Sequence, residues 1–239
     1  MGYKQFIIKM YEDALLLNNK NVEEALRLTG PHKNLLDIGC WDGENTLAWA
    51  KAAGVKKIYG LEPVRKAAKK ARQKGIITIN SSADKDIWKL PNNSIDCIVS
   101  NQLVEHLTNL DFYFQQAARV LKPGGYFINS TNNLSSWHNI GALLFGWAPF
   151  DLTNSSTRKS GIGNPLSAHR DETDERGSSW THRCIYTAKW LNEWQSLYGI
   201  EVFKVMGAGY YPFPASLGKV LVKNCAFITV IGRKVNKNY

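Results

Sequence analysis

Short apolar segments alternate with segments of helical periodicity through the first half of the chain. The apolar runs occupy residues 35–38, 57–61, 76–79, 95–100 and 126–130. Runs of this length that are bounded by turn residues predict buried strands. Between them, apolar residues recur every three or four positions over residues 46–53, 63–74 and 107–121, which predicts amphipathic helices. Strands that alternate with helices indicate a parallel sheet covered by helices.

The flanking segments also carry structural signals. Helical spacing over residues 3–30 predicts two short helices, and aromatic residues over residues 134–147 predict another helix that ends before Pro149. Residues 151–179 are rich in Ser, Thr, Asn, Gly and charge, a composition typical of a long flexible loop or lid. A helix is predicted from its N-cap at Thr187 to Tyr198, followed by strands over residues 201–205 and 226–231.

Length and composition are those of an ordinary globular protein. The 239 residues are enough for one large domain, with 44% hydrophobic and 21% charged residues. The apolar runs are far shorter than a membrane span, and the first residues lack the apolar core of a secretory signal. We therefore expect a cytoplasmic protein.

The four cysteines argue against a zinc site and against a disulfide framework. Cys40, Cys97, Cys184 and Cys225 are widely separated, and no pair has the C-x-x-C spacing. We expect buried, reduced thiols and no metal site.

The formal net charge of +10 is the one unusual total. It favours an anionic small molecule, a nucleic acid or an anionic membrane surface as partner, without choosing among them. Many of the cations fall at helical spacing over residues 51–74, where a solvated outer helix face explains them equally well.

Candidate chemistry begins at the first predicted strand, which runs into Asp37 and then through Gly39 and Gly43 into a helix. Glycines allow a positive φ and close approach of a ligand, and the free N–H groups at a helix start favour polar or anionic ligand atoms. Glu62 ends the second strand about 20 residues later, the distance at which dinucleotide-type folds place a carboxylate for ribose hydroxyls.

Polar residues follow the next two strands as well. Asp84 could reach an adenine amino group or could simply cap a short polar loop, and Asn101 and Gln102 end the fourth strand. Ligands of open α/β sheets bind outside the carboxyl ends of the strands, where all these positions converge.

Taken in order, several segments resemble class I S-adenosylmethionine-dependent methyltransferases, and most of all their type 11 small-molecule group. The segments lie within about residues 33–131 and are Leu35–Gly43, Glu62, Ala83–Asp84, Val104–Leu107 and Arg119–Gly125. In one departure, Trp41 stands where the family usually has a third glycine. Its indole would restrict the pocket or pack on the N-terminal helices.

The resemblance implies S-adenosylmethionine as cofactor and S-adenosylhomocysteine as product. Asp37, Gly39 and Gly43 would hold the methionine end, Glu62 the ribose, Ala83 and Asp84 the adenine, and Asn101 and Gln102 the region of the methyl group. The whole implied cofactor-binding set is Asp37, Gly39, Cys40, Trp41, Gly43, Glu62, Pro63, Ala83, Asp84, Asn101 and Gln102.

The resemblance also implies the fold. It is a Rossmann-like, doubly wound α/β domain with a mostly parallel seven-stranded sheet, an antiparallel last strand, N-terminal helices and an inserted substrate-side lid. Within a single domain of residues 1–239, we expect a helical cap (1–32), a cofactor-binding core (33–131), a substrate-side insertion (132–186) and a C-terminal helix with the last strands (187–239).

Methyl transfer from a sulfonium requires in-line alignment and, for some acceptors, removal of a proton. His106 is the first candidate base because it follows the fourth strand, although it could equally cap the next helix. Further candidates are His138, His169 and His182, each of which could be structural. Candidates for an apolar substrate wall are Trp137, Trp147, Trp180 and Tyr186, which could equally belong to the core.

The leading hypothesis is methyl transfer to a small-molecule, lipid or sugar-like acceptor at oxygen, nitrogen or carbon. The charge keeps an RNA methyltransferase as the alternative, although the chain lacks the Asn-Pro-Pro-Tyr-type and Pro-Cys motifs of nucleic-acid enzymes. A non-catalytic cofactor-binding regulator is a third possibility, and peripheral membrane contact stays open. A nicotinamide oxidoreductase fits less well, because Asp37 and the Val104–Leu107 segment favour the methyltransferase pattern.

Overall fold

Seven strands form one sheet in the computed structural model, which describes residues 2–173 and 180–235. They are β1 (Asn34–Ile38), β2 (Lys57–Leu61), β3 (Ile77–Ile79), β4 (Ile95–Asn101), β5 (Leu121–Asn132), β6 (Ile200–Ala208) and β7 (Phe227–Lys234). Their order across the sheet is β3-β2-β1-β4-β5-β7-β6, and β7 runs antiparallel to both of its neighbours. The predicted Rossmann-like fold, mostly parallel with an antiparallel last strand, is confirmed.

Six α-helices accompany the sheet in the described ranges. They are α1 (Tyr3–Thr29), α2 (Glu44–Ala52), α3 (Arg65–Gln73), α4 (Leu110–Val120), α5 (Trp137–Leu144) and α6 (Ala188–Leu197). Alternate residues of β1 enter two separate apolar clusters, with Leu35 in one and Leu36 and Ile38 in the other. The central strands are therefore buried on both faces, as expected of a parallel sheet between two helical layers.

The prediction of two short N-terminal helices is wrong, because residues 3–29 form one continuous helix, α1. Asn18 and Asn21, in the middle of this helix, are fully buried. The amide of Asn18 donates to Asn101 Oδ1 at 2.9 Å, and that of Asn21 donates to the carbonyl of Gly207 at 3.0 Å. These asparagines hold α1 against the sheet through buried hydrogen bonds. The helix therefore continues through the polar segment where two separate helices were predicted.

The basic segment of residues 65–74 has the character of a solvated face. Helix α3 buries its alanines, Ala67, Ala68 and Ala71, against the domain. Its lysines and arginines are exposed on the opposite side. The amphipathic packing of the helix therefore accounts for this cluster of cations without a ligand.

The described part of the substrate-side segment is tied together by its backbone. The N–H of Ser160 donates to the carbonyl of Glu172 at 2.8 Å, and that of Gly161 donates to the carbonyl of Thr153 at 2.8 Å. The predicted helix over residues 134–147 is the shorter α5, and residues 174–179 of the predicted loop lie outside the described residues. Among the helices that the structure describes, none combines the length and apolar character needed to cross a bilayer.

Glycine at position 43 is required by both conformation and space, which gives a stability prediction. Gly43 has φ +82° at the start of α2, and a Cβ there would overlap Cδ1 of Ile76. Gly54 has φ +67°, but a Cβ there would meet no atom within 4 Å, so it is the matched control. We expect Gly54→Ala to lower the free energy of unfolding by about 1 kcal/mol, through backbone strain alone. Gly43→Ala should lower it by about 3 kcal/mol, through backbone strain plus overpacking. Urea unfolding measures both, and equal losses would contradict the packing argument.

Candidate active site

A polar cavity of about 250 Å³ opens where the strand order reverses, between β1 and β4. Such a switch point is where open α/β sheets bind ligands. The lining residues are Asp37, Gly39, Cys40, Trp41, Asp42, Glu44, Asn45, Trp49 and Asn101. Five of the residues predicted from sequence, Asp37, Gly39, Cys40, Trp41 and Asn101, thus share one cavity.

Asp37 is the buried acid of this cavity. Its side chain is almost fully buried, and the hydroxyl of Thr46, on α2, donates to Oδ2 at 2.5 Å. Burial raises the pKa of Asp37 to about 7, with the nearby charge of Glu62 acting in the same direction and the Thr46 hydrogen bond opposing it. A carboxyl group in this state becomes ionised readily when a cation binds beside it.

The turn between β1 and α2 passes through left-handed backbone three times. Gly39 has φ +81°, Trp41 +47° and Gly43 +82°. Gly39 allows the turn to lie against Leu103, since a Cβ there would come within 3.1 Å of its side chain. Trp41 is a rare non-glycine residue in this conformation, and 43% of it is exposed. Its indole meets Trp180 edge to face, with 5.3 Å between ring centroids, so it packs on the substrate-side segment.

Glu62 follows β2 and joins this turn through the main chain. Its Oε2 accepts from the N–H of Trp41 at 3.0 Å, and Oε1 accepts from the N–H of Val64 at 2.9 Å. Burial raises the pKa of Glu62 although both hydrogen bonds oppose the shift. A carboxylate offers about four lone-pair sites, so each oxygen keeps acceptor capacity toward a ligand.

Pro63, Ala83 and Asp84 continue along the same edge of the sheet, outside the cavity lining. Pro63 is exposed, and the carbonyl of the buried Ala83 accepts from the indole of Trp88 at 3.2 Å. Asp84 Oδ2 accepts from the N–H and the hydroxyl of Thr108, both at 2.7 Å. Burial alone would raise the pKa of Asp84, but these hydrogen bonds hold it below its ordinary value. Asp84 thus anchors the loop before α4, and its contact with adenine stays a prediction.

Asn101 and Gln102 sit at the end of β4, beneath α1. The Asn101 amide donates to Asn19 Oδ1 at 3.2 Å while its Oδ1 accepts from Asn18. Gln102 has φ +53°, and its buried Nε2 has no hydrogen-bond partner among the described residues. A buried amide group without a partner is costly, and a bound polar ligand would relieve that cost.

His106 lies in a 3₁₀ turn over Val104–His106, between β4 and α4. Its ring meets that of His182 edge to face at 4.7 Å between centroids, and that of Trp180 at 6.5 Å. Because Trp180 also contacts Trp41, a row of aromatic rings connects the cavity to the two histidines. His106 as the catalytic base stays a prediction.

The other two candidate histidines each pair with a carboxylate. His138, on α5, pairs with Asp151 at 3.2 Å between Nε2 and Oδ2, and His169 pairs with Glu172 on the surface. Among the candidate aromatics, Tyr186 is in the core, whereas Trp137 is half exposed and donates to the hydroxyl of Tyr210 at 2.7 Å. Trp147 stacks on Phe145. Of these four candidate aromatic residues, Trp180 belongs to the aromatic row.

Sequence reasoning missed several lining residues. Asp42, Glu44 and Asn45 follow Trp41 directly and line the cavity with it. Their position inside the predicted turn was a usable signal, whereas Trp49 was assigned to the apolar face of α2 by spacing alone. Asn18 and Asn19 could have been noticed as polar residues in the middle of an otherwise amphipathic helix.

Comparison with known proteins decides the family. The family model described as a methyltransferase domain matches residues 10–205, which is most of the chain. The chain belongs to this methyltransferase family. The family resemblance inferred from the sequence motifs is thereby confirmed.

Individual relatives of this methyltransferase are distant. The ubiquinone biosynthesis O-methyltransferase of Bradyrhizobium sp. (strain ORS 278) is 28% identical over 115 residues, which cover 47% of this chain and 44% of that protein. An uncharacterised methyltransferase of Schizosaccharomyces pombe is 30% identical over 181 residues, covering 66% of this chain and 64% of its own length. The matches thus span less than two thirds of these curated relatives.

Solved structures agree on the fold. An S-adenosylmethionine-dependent methyltransferase from Thermotoga maritima superposes with a TM-score of 0.60 at 19% identity, covering 97% of both chains. One from Mesorhizobium loti gives 0.58 at 20% identity, covering 88% of this chain and 96% of that one. The Thermotoga maritima match takes in nearly the whole chain, so the likeness in fold extends beyond the residues that the family model matches.

Proposed function

We propose that this chain transfers a methyl group from S-adenosylmethionine to a hydroxyl oxygen of a small aromatic acceptor. The observation that supports this most is the polar cavity at the switch point, where Asp37 and the turn that Glu62 binds come together. The recurrence of ubiquinone biosynthesis O-methyltransferases among the relatives favours oxygen in a phenol-like compound.

The residues present fit the cofactor in charge and in shape. Asp37 would hold the ammonium group of the methionine end, and Gly39 gives the backbone room beside it. Glu62 would accept from the ribose hydroxyls with the lone pairs that its two backbone hydrogen bonds leave over. Nε2 of Gln102, which has no hydrogen-bond partner in the described ranges, provides a buried donor near the end of β4. When bound, the cofactor supplies an activated methyl group on a positively charged sulfur.

The acceptor side is formed by Trp41, Trp180 and His106. The two indoles offer flat apolar surfaces next to the cavity, and such surfaces suit an aromatic ring. We assign to His106 the activation of the acceptor's hydroxyl group, because the aromatic row places it next to Trp180 and beyond the cavity. The acceptor oxygen would bond to the methyl carbon as the sulfur–methyl bond breaks, S-adenosylhomocysteine would leave as the neutral thioether, and the hydroxyl proton would pass to solvent beside His106.

The test is transfer of radiolabel from the methyl group of the cofactor to separate acceptor panels of phenols and catechols, amines, polyprenyl phenols in vesicles, and total RNA. We expect label in the phenol or catechol panel and a loss of at least about 100-fold in His106→Asn, the typical size of an acid–base contribution. The surface variant His169→Asn should keep full activity.

Other outcomes would change the proposal in defined ways. Label confined to amines would favour nitrogen transfer, since the Thermotoga maritima neighbour is described as a possible histamine N-methyltransferase. Label in RNA would support the alternative that the net charge of +10 favours. Cofactor binding without label in any panel would indicate a non-catalytic cofactor-binding protein.

A further inference from the structure

Three side chains that can ligate metals converge beside the proposed acceptor site. A carboxylate oxygen of Glu105 and one ring nitrogen each of His106 and His182 all lie within 4.8 Å of one another. In the described parts of the chain this is the one group of three or more such residues. Glu105 and His106 come from the turn after β4, and His182 comes from the substrate-side segment, so the fold itself brings the three together.

Both histidines are oriented by main-chain carbonyls. Nδ1 of His106 lies 3.1 Å from the carbonyl of Thr181, and Nδ1 of His182 is hydrogen-bonded to the carbonyl of Asp151. A carbonyl only accepts, so each Nδ1 carries a hydrogen and the lone pair of each neutral ring is on Nε2. Histidines that ligate metals show this arrangement, because the second ring nitrogen fixes the tautomer and the direction of the first.

Glu105 supplies a buried oxygen that has no hydrogen-bond partner among the described residues. The residue is fully buried, and its Oε2 accepts from the hydroxyl of Thr131 at 2.7 Å. Its Oε1 makes no hydrogen bond to any described residue. An unpartnered carboxylate oxygen in the interior is strongly unfavourable unless a cation or a donor meets it. The buried oxygen therefore points to a ligand between Glu105 and the two rings.

We propose that Glu105, His106 and His182 bind one divalent transition-metal ion through Oε1 of the carboxylate and Nε2 of each imidazole. Two imidazoles and one carboxylate suit ions such as Zn²⁺, Mn²⁺ or Fe²⁺, and three protein ligands leave coordination positions open. The cysteine-spacing rule that predicted no metal could not detect this set, because its ligands are one Glu-His pair and a distant histidine.

The role of the ion rests on the proposed methyl transfer, whereas its binding does not. An acceptor hydroxyl that occupies an open position loses its proton to solvent more easily, because the cation stabilises the oxyanion. The oxygen then displaces the neutral thioether product from the methyl carbon. His106 would thus activate the acceptor through the ion, and acceptors with two adjacent oxygens, such as catechols, would be favoured.

A simple ion pair between protonated His182 and Glu105 is the rival explanation of the same geometry. It predicts no stoichiometric metal binding. It also predicts that variants of the three residues differ in stability alone.

The experiment is titration of the chelator-treated full chain with Co²⁺, followed by the visible d–d absorption of the bound ion and by the tryptophan fluorescence next to the site. We expect one equivalent of Co²⁺ per chain, displaced by Zn²⁺. Affinity should fall at least about 100-fold in His182→Ala, in His106→Gln and in Glu105→Gln, since each removes a ligand. His169→Ala, which lies on the surface, should bind like the parent chain.

Two controls keep the result decisive. Circular dichroism melts show whether each variant folds. If Glu105→Gln does not fold, metal binding by His182→Ala decides whether the site exists. S-adenosylhomocysteine binding should be unchanged in the variants, because none of the three residues lines the cofactor cavity. Absence of Co²⁺ binding, or equal Co²⁺ affinity in the parent chain and in His182→Ala, would overturn the metal site. If S-adenosylhomocysteine still binds in that case, the proposed function stands without the metal.

Discussion

Replacing Glu62 by alanine should weaken S-adenosylmethionine binding at least about 100-fold. Glu62 uses one lone pair on each oxygen for the N–H groups of Trp41 and Val64, which leaves the others available to the two ribose hydroxyls of the proposed cofactor. Each hydrogen bond to a charged group is worth about 1.5–3 kcal/mol, and about 1.4 kcal/mol corresponds to a factor of ten. The alanine variant would lose both ribose contacts and leave the N–H of Trp41 without its acceptor.

Isothermal titration measures this loss, and two variants separate its causes. Glu62→Gln keeps one acceptor oxygen and should lose about tenfold, the equivalent of one charged hydrogen bond. Glu23→Gln removes an acid that does not line the cavity, since its carboxylate pairs with Arg27 on α1 at 3.3 Å. Such pairs contribute little, so we expect a change of less than about threefold. An equal effect of Glu23→Gln and Glu62→Ala would contradict a specific ribose contact.

Cofactor affinity should rise with pH between 6.0 and 7.5. Burial raises the pKa of Asp37 to about 7, so this carboxyl group is mostly protonated at pH 6.0 and mostly ionised at pH 7.5 in the ligand-free chain. In the proposed site only the ionised form would attract the ammonium group of the methionine end. The fraction of chains with ionised Asp37 therefore predicts that cofactor affinity is about eightfold higher at pH 7.5 than at pH 6.0. At the lower pH, binding should be accompanied by release of a proton.

Titrations in buffers of different ionisation enthalpy measure both the affinity and the released protons. The range ends at pH 7.5 because an α-amino group itself titrates at about 7.7–8.0. Asp37→Asn keeps an oxygen for the Thr46 hydroxyl but cannot ionise, and its affinity should be low and nearly independent of pH. Any slope that remains would report Glu62, whose pKa is also raised by burial. Affinity that is flat or rises toward acid in the parent chain would contradict the role of Asp37.

The convergence of Asp37, Glu62 and Asn101 could be predicted from sequence because these residues are close to the ends of neighbouring strands. Asp37 and Asn101 lie at the carboxyl ends of β1 and β4, Glu62 follows β2, and parallel strands bring their carboxyl ends to the same edge. Local signals therefore sufficed for their placement. Asp84 shows the limit of this rule, since its position was predicted but its hydrogen bonds to Thr108 were not.

The features that the sequence did not predict depend on contacts between residues far apart in the chain. Asn18 lies in the middle of α1, which was predicted as two helices, and it is buried where its side chain meets Asn101 and Ser130. His182 was one of several candidate histidines, and no spacing rule could place it next to Glu105 and His106. The substrate-side segment lacks the repeating periodicity of the core, so its fold follows from hydrogen bonds that the pattern of residue types does not reveal.

The central claim is tested most directly by titrating the purified chain with S-adenosylhomocysteine and, separately, with NAD⁺. The polar cavity at the switch point, with Asp37 and the turn bound by Glu62, predicts one S-adenosylhomocysteine per chain and no measurable binding of NAD⁺. Binding of NAD⁺ in preference to the adenosyl ligand, or binding of neither, would contradict the account.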